Sequence, residues 1–322
     1  MNQQFEYINP QSLDEAVKLA GQGSVYAGGT DLLGLMKNDI AHPQRLVNLK
    51  ALPELKAVER QKGKGLRLGA LVTLNELAEN EMLQKDFPAI SQAAGSAASP
   101  QLRNVGTLGG NLCQRPRCWY FRGDFDCLRK GGATCFAMDG ENKYHCVVGG
   151  DGCYIVHPSD MAVALLALEA KLEIYGPGGQ RLLPISHFYV LPEDDPTVET
   201  VLQPGEIITS VIVPEQPVGS RSVFVKFRER SAWDFAVVSV AAALQVQNGA
   251  ISGGKIALGG VAPVPWLDKK LNNTLAGTAL DENGINKIAA SALTDAEPLE
   301  QNGYKVILAR NMIKGVLQSL AG

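Results

Sequence analysis

All six cysteines of this 322-residue chain fall between Cys113 and Cys153, and no other part of it contains one. A disulfide framework spreads its bridges through a small core, so confinement of the thiols to one eighth of the length argues against one. Crowded thiolates are instead natural ligands for a soft metal centre. The spacing excludes the simplest versions. No C-x-x-C pair occurs, so zinc ribbons and knuckles are not expected, and ferredoxin-type runs are absent as well. Trp119, Tyr120 and Phe121 are suited to excluding water, and Arg115, Arg117, Arg122 and Arg129 to offsetting the negative charge of thiolates. The competing reading is a set of free thiols. His145 and His157 read as ordinary hydrogen-bonded histidines rather than ligands.

Glycine-rich segments precede and adjoin this stretch. Gly28-Gly29-Thr30-Asp31 follows a short apolar run and precedes a helical pattern, so it reads as a strand-to-helix turn. Two glycines let a ligand approach the backbone, and amides at a helix start attract phosphate. The bland alternative is a plain turn with Thr30 or Asp31 as N-cap. Gly106-Thr107-Leu108-Gly109-Gly110-Asn111, beside Arg103-Asn104, is a second such segment, whose bland alternative is a tight turn or bulge. Two separated glycine turns suit a dinucleotide gripped at both phosphates. Neither G-x-G-x-x-G after the first strand nor a Walker A motif is present, which argues against a Rossmann domain or P-loop.

Strands and helices mix without regular βα alternation, which predicts an α+β fold. Three regions are expected, at 1–55, 56–215 and 216–322. In the first, a strand at 5–8 precedes a helix from Ser12, where Ser12 and Glu15 fit a capping box, and further strands are expected at 24–27 and 46–49. The second opens on a hairpin with a turn at 62–65, carries an amphipathic helix at 160–170 after the cysteines, and has another hairpin around Gly176-Pro177-Gly178-Gly179. Pro214, Pro217 and Gly219 mark its end. The third holds strands at 222–228, 236–246 and 254–258, with a turn at Asn248-Gly249, then helices near 283–294 and 303–320. A net charge of −3 with dispersed Lys and Arg leaves no footprint for nucleic acid, and no apolar run is long enough for a membrane span. The N-terminus lacks the features of a signal peptide, which points to a reducing compartment.

The segments AGGTDLL at 27–33, QLRNVGTLGGNL at 101–112, HPSDMA at 157–162 and KFRERSAWDFAVVSVAA at 226–242 resemble the FAD-binding (medium) subunits of the molybdenum hydroxylase family. That family includes xanthine dehydrogenases, aerobic carbon monoxide dehydrogenases, bacterial aldehyde oxidoreductases and 4-hydroxybenzoyl-CoA reductase. The resemblance covers nearly the whole chain. Most medium subunits lack a cysteine insert. Those of 4-hydroxybenzoyl-CoA reductase and of the periplasmic aldehyde oxidoreductases carry a [4Fe–4S] cluster there, and NLCQRPRCWYF is most similar to the aldehyde oxidoreductase type.

The resemblance implies a PCMH-type FAD-binding fold of two N-terminal subdomains, followed by a C-terminal α+β domain of the CO dehydrogenase flavoprotein type. It implies that Ala27, Gly28, Gly29, Thr30, Asp31 and Leu32, with Arg103, Asn104, Thr107, Gly109, Gly110 and Asn111, surround the FAD pyrophosphate. Asp160 would meet ribityl or ribose hydroxyls, and Lys226 the isoalloxazine; a surface charge pattern is the alternative for Lys226, Arg230 and Asp234. Cys118, Cys127, Cys135 and Cys153 would ligate the cluster, with Cys146 or Cys113 as substitutes. The implied partners are a large subunit holding the molybdenum cofactor, a small subunit with two [2Fe–2S] clusters, and a ferredoxin-like electron partner. The implied function is electron transfer, with no catalytic residue on this chain, in an aldehyde oxidoreductase-type enzyme. A reductive 4-hydroxybenzoyl-CoA reductase-like enzyme is the alternative. Two rival readings are a free-standing FAD oxidase and a zinc-stabilised interaction module. The expected location is the cytoplasm, the alternative being the periplasm after export with a partner subunit.

Overall fold

The computed structural model describes residues 4–61, 63 and 65–321. Three sheets organise them. β1 (Glu6–Ile8), β2 (Ser24–Tyr26) and β3 (Arg45–Asn48) form a parallel sheet in the order β1-β3-β2. β4 (Val58–Gln61), β5 (Gly65–Gly69), β6 (Lys171–Gly176), β7 (Gly179–Pro184) and β8 (Ile207–Val213) form an antiparallel sheet in the order β4-β5-β8-β6-β7. The expected turn at 62–65 includes Lys62 and Lys64, which lie outside the described residues. The third sheet is an antiparallel meander of β9 (Ser220–Phe227), β10 (Val238–Gln247) and β11 (Ala250–Gly259).

Local chemistry accounts for most element ends. Ser12 accepts the Glu15 amide and caps the helix Leu13–Ala20. The return half of the expected capping box is displaced by one residue, because the Glu15 carboxylate takes the Gln11 amide at 2.7 Å. Asn248 (φ 51°) and Gly249 (φ 75°) provide the two left-handed residues of a tight hairpin turn between β10 and β11. β11 starts immediately after that turn, ahead of the expected residue 254. Gly254 permits this early start: a Cβ there would lie 2.1 Å from the Ala243 carbonyl oxygen.

One expectation is corrected. The helix Asp160–Ala167 is not amphipathic, since all eight of its residues are buried. It packs against β10 and β11 on one side and the helix Pro88–Ser96 on another, so no face reaches solvent. Each of Leu165 and Leu166 contributes about 2 kcal/mol by burial. This helix joins the second sheet to the third in one core that runs from Leu66 and Val211 through Leu165 to Phe224 and Ala257.

The cysteine-rich stretch contains only short helical turns, at Trp119–Arg122 and Leu128–Lys130. Polar anchors order it instead. Lys305, wholly buried in the helix Tyr304–Ala321, donates to the carbonyls of Tyr144, His145 and Gly260 at 2.7, 2.9 and 2.7 Å. Asn302 donates to the carbonyls of His145 and Cys146, and the Asn142 and Gln301 side chains exchange hydrogen bonds with each other's backbone amides. Burial pushes the Lys305 pKa down to about 7, while three carbonyls in hydrogen-bond range favour the ammonium. Lys305→Met should destabilise the protein by about 3 kcal/mol or more in urea unfolding, because buried carbonyls lose their donor. Unchanged stability would show that the anchor is dispensable.

Candidate functional site

The turn after β2 and the segment before residue 112 meet at touching distance. A Cβ on Gly28 would lie 2.2 Å from the Val105 carbonyl oxygen, so only glycine allows the two backbones to close on each other. Gly29 adopts φ +69° directly over the Tyr26 ring. On the other side Thr107 caps the short helix Leu108–Leu112 by accepting the Gly110 amide at 3.2 Å. Gly109 sits against Ala70, its amide donating to the Ala70 carbonyl. The amides of Leu108, Gly109, Gly110 and Asn111 are all taken within the protein, by Val72, Ala70 and Thr107, so this second segment meets the space between the turns with small side chains and close backbone rather than with free N–H groups.

That space is a chain of three adjoining cavities. The first, of about 310 Å³, is lined by Ala27 to Leu32 together with Thr107, Gly109 and Gly110. The second, of about 480 Å³, shares Thr30, Asp31, Thr107 and Gly110 with the first and adds Asn111, Asp160 and Lys226. The third, of about 340 Å³, continues past Asp160 to Cys118, Trp119 and His145. Arg103 and Asn104 line none of them. Arg103 donates to the Ala97 carbonyl, and Asn104 ends the short helix Pro100–Arg103.

Asp31 is the N-cap residue of the helix Leu32–Lys37 but makes no side-chain capping bond. Its carboxylate turns to the cysteine-rich stretch, accepting the Arg115 amide at 2.8 Å and pairing with Arg117 and Arg122 at 2.6 and 2.8 Å. Thus Arg117 and Arg122 serve the glycine turn. Arg115 pairs with Glu199, which also holds Arg129, and of the four arginines only Arg129 lines the thiol cavity described below.

Asp160 and Lys226 form a buried ion pair at 2.7 Å, their side chains 5% and 3% exposed. Lys226 is therefore no surface charge. Burial raises the Asp160 pKa, and the Lys226 ammonium opposes that rise. Truncating either partner would strand the other charge, a loss of about 3–5 kcal/mol in buried pairs generally. Asn111 accepts from Ser159, whose oxygen in turn caps the Asp160–Ala167 helix, so Ser159 fixes the second glycine segment relative to the pair. The sequence reading missed Ser159, although a serine directly before a helical run is a cap signal. It also missed Ala98 (φ 48°) and Trp233 (φ 52°), joined by a backbone hydrogen bond of 3.1 Å at the wall of the second cavity. Their left-handed backbones carry no sequence signal.

Cys118, Cys127, Cys135 and Cys153 surround one small cavity of about 10 Å³, walled by Tyr120, Phe121, Phe136 and the buried Arg129. Cys153 is drawn down in pKa by a hydrogen bond from Cys135 and by the Arg129 charge, whereas burial lifts Cys118 to about 11. His145 lies 3.3 Å from the Cys118 sulfur, and both residues also line the third cavity. Cys113 sits apart and exposed, on the wall of the first cavity. Cys146 is buried outside the thiol cavity, its amide bonded to the Tyr154 carbonyl. Among the described residues no three of His, Cys, Asp and Glu converge tightly enough to hold a single metal ion.

Comparison with known proteins decides the family. The family described as the FAD binding domain in molybdopterin dehydrogenase matches residues 3–216, and the CO dehydrogenase flavoprotein C-terminal domain matches residues 223–320. This chain belongs to the FAD-binding subunits of the molybdenum hydroxylases. It is 38% identical to the aldehyde oxidoreductase FAD-binding subunit PaoB of Escherichia coli strain K12, over 90% of this chain and 89% of that one. It is 28% identical to the xanthine dehydrogenase FAD-binding subunit of Escherichia coli O157:H7, over 97% and 94%. Its fold matches a carbon monoxide dehydrogenase structure from Hydrogenophaga pseudoflava with a TM-score of 0.77, at 27% identity over 98% and 96% of the two chains. The α+β fold and the FAD-binding character expected from the sequence both hold, and the chain is an oxidoreductase subunit.

The cavities suit the flavoprotein's cofactor: a backbone cradle that a Cβ would fill, then a buried ion pair beyond it. Gly28→Ala should cut FAD affinity at least ~10-fold, since the clash with Val105 forces the two turns apart. Fluorescence titration of the flavin-stripped protein measures this, and an unchanged affinity would place the cofactor elsewhere. A second expectation concerns pH. His157 is buried against Tyr189 (ring centroids 4.3 Å apart), its Nδ1 accepts the Ser159 amide, and burial lowers its pKa from 6.5 to about 3. Below pH 6.5 the unfolded chain takes up a proton there that the folded protein refuses, so folding stability falls with pH down to about 3. His157→Asn keeps an acceptor but does not titrate. Its urea-unfolding stability should drop about 2–3 kcal/mol less than wild type between pH 6.5 and pH 4; parallel pH curves would refute the assignment.

Proposed function

We propose that this flavoprotein subunit carries electrons within an aldehyde oxidoreductase-type molybdenum hydroxylase, and that its cysteine stretch holds a [4Fe–4S] cluster. The observation that carries the reading is the shared wall. Cys118 and His145 border both the thiol cavity and the third cavity of the flavin cleft, so a redox centre at the thiols would stand next to the cofactor. The whole-length identity to PaoB, named as the FAD-binding subunit of an aldehyde oxidoreductase, favours that enzyme type.

The residues fit the group proposed. A zinc ion draws its ligands to one point, whereas a cubane gives each thiolate its own iron and spreads the sulfurs. Four thiols around one cavity supply the four-thiolate donor set that a cubane takes. Cys118, Cys127, Cys135 and Cys153 would be the ligands, Arg129 would offset their negative charge, and Tyr120, Phe121 and Phe136 would keep water out. In the cleft, the segments around Gly28 and Gly109 would hold the pyrophosphate, Asp160 would accept from sugar hydroxyls, and Lys226 would place a fixed positive charge near the ring. The bound flavin supplies one- and two-electron chemistry. The organic substrate would react at a molybdenum cofactor on a large subunit. A small [2Fe–2S] subunit would deliver the electrons, and a ferredoxin-like protein would take them. The proposed location is the cytoplasm.

Anaerobic purification followed by iron, sulfide, zinc and flavin analysis tests the cluster. About four iron and four sulfide with one FAD per chain are expected. Single Ser variants of Cys118, Cys127, Cys135 and Cys153 should lose most of the iron and keep the flavin, whereas Cys113→Ser should keep both. Flavin without iron, or zinc without sulfide, would sink the cluster.

A further inference from the structure

Arg117 belongs to the cysteine-rich stretch, yet it lines the second and third cavities and not the thiol cavity. It shares the second cavity with Thr30, Thr107, Gly110 and Asn111, the walls where the two glycine segments face each other. Its guanidinium is under-used. Nη1 pairs with Asp31 at 2.6 Å, Nη2 makes one long 3.3 Å contact to Gln114, and Nε is buried with no acceptor. The Phe235 ring lies 5.2 Å from its central carbon and steadies the plane. The charges around it do not cancel. Asp31 gives the same carboxylate oxygen to Arg117 and Arg122, and among the described residues neither arginine is ion-paired with a second acid. One carboxylate between two guanidiniums leaves a net positive charge in a partly buried place, which is costly unless an anion arrives. The arginine side chain has the planar fork that matches phosphate oxygens.

We propose that Arg117 is a phosphate-binding residue. The cysteine-rich stretch thereby supplies the side-chain cation for the dinucleotide's diphosphate, held in position by Asp31 and Phe235. This inference rests on the reading of the cleft as the FAD site. It links the two halves of the chain's chemistry, since the loop that brings Cys118 to the thiol cavity brings the adjacent Arg117 to the flavin.

The test compares FAD, FMN and riboflavin binding to the flavin-stripped full-length chain, by fluorescence quenching, in wild type and in Arg117→Met. FAD affinity should fall ~10–100-fold, as expected for loss of a charge-assisted hydrogen bond. Riboflavin, which has no phosphate, should change less than about twofold, and Arg117→Lys should recover part of the FAD affinity. Should the Met variant not fold, Arg117→Gln offers the same contrast while keeping a donor for Asp31. Unchanged FAD affinity in a folded variant would overturn the proposal, as would an equal loss for riboflavin, which would place Arg117 against the ring. Failure of wild type to take up FAD overturns the cofactor reading itself, and this proposal with it.

Discussion

A single carboxylate, Asp31, joins the parts of this protein that carry its chemistry. It leaves the helix it would ordinarily cap and takes an amide and two guanidiniums from the cysteine-rich stretch. Partly buried and multiply hydrogen-bonded, such an arrangement is stronger than an exposed pair, which contributes under about 1 kcal/mol. Its structural effect is to tie the first glycine turn to the loop bearing Cys113 and Cys118. Through the Arg115 side chain the network continues to Glu199 and Arg129, and so to Cys153. A set of polar contacts thus runs from the cleft toward the thiols.

Why this stretch needs polar anchors follows from its composition. One small buried apolar cluster joins Phe121 and Cys127 of the stretch to Leu35, too little by itself to order some forty residues by burial. Lys305, Asn302 and Gln301 therefore reach in from the C-terminal domain, and Glu199 from the loop before β8. Each anchor contacts backbone or charge that would otherwise be buried unpaired, so its removal exposes a large local penalty. The cavity that the thiols enclose is accordingly built by three regions of the chain, and no excised fragment would carry all of its supports.

Most of the fold was legible in local chemistry. Ser12 as a cap, the Asn248-Gly249 turn, the Gly28-Gly29 turn and the pattern of short strands all act within a few residues, where propensity and sterics dominate. What was not legible depends on contacts distant in sequence. The Asp160–Ala167 segment looked like a surface helix because its covering sheets lie before and after it in the chain. Lys305, in the run Tyr304-Lys305-Val306, resembles a solvent-facing lysine until three carbonyls surround it. The four arginines between residues 115 and 129 look equivalent in sequence, and only the fold assigns Arg129 to the thiols and Arg117 to the cleft.

The pairing of Asp160 with Lys226 shows how the cleft reconciles opposing demands. An anionic cofactor needs positive potential, but an isolated buried lysine tends to lose its proton. Lys226 is paired with a carboxylate 2.7 Å away, which cancels most of its field at a distance. In the proposed reading the attraction for phosphate comes from elsewhere, from the turn at Gly28 and from the guanidiniums around Asp31. That division leaves Lys226 free to act at short range, on groups lying directly against it. In that reading, positive charge for the phosphates and positive charge beside the buried carboxylate are provided by separate residues, from separate parts of the chain.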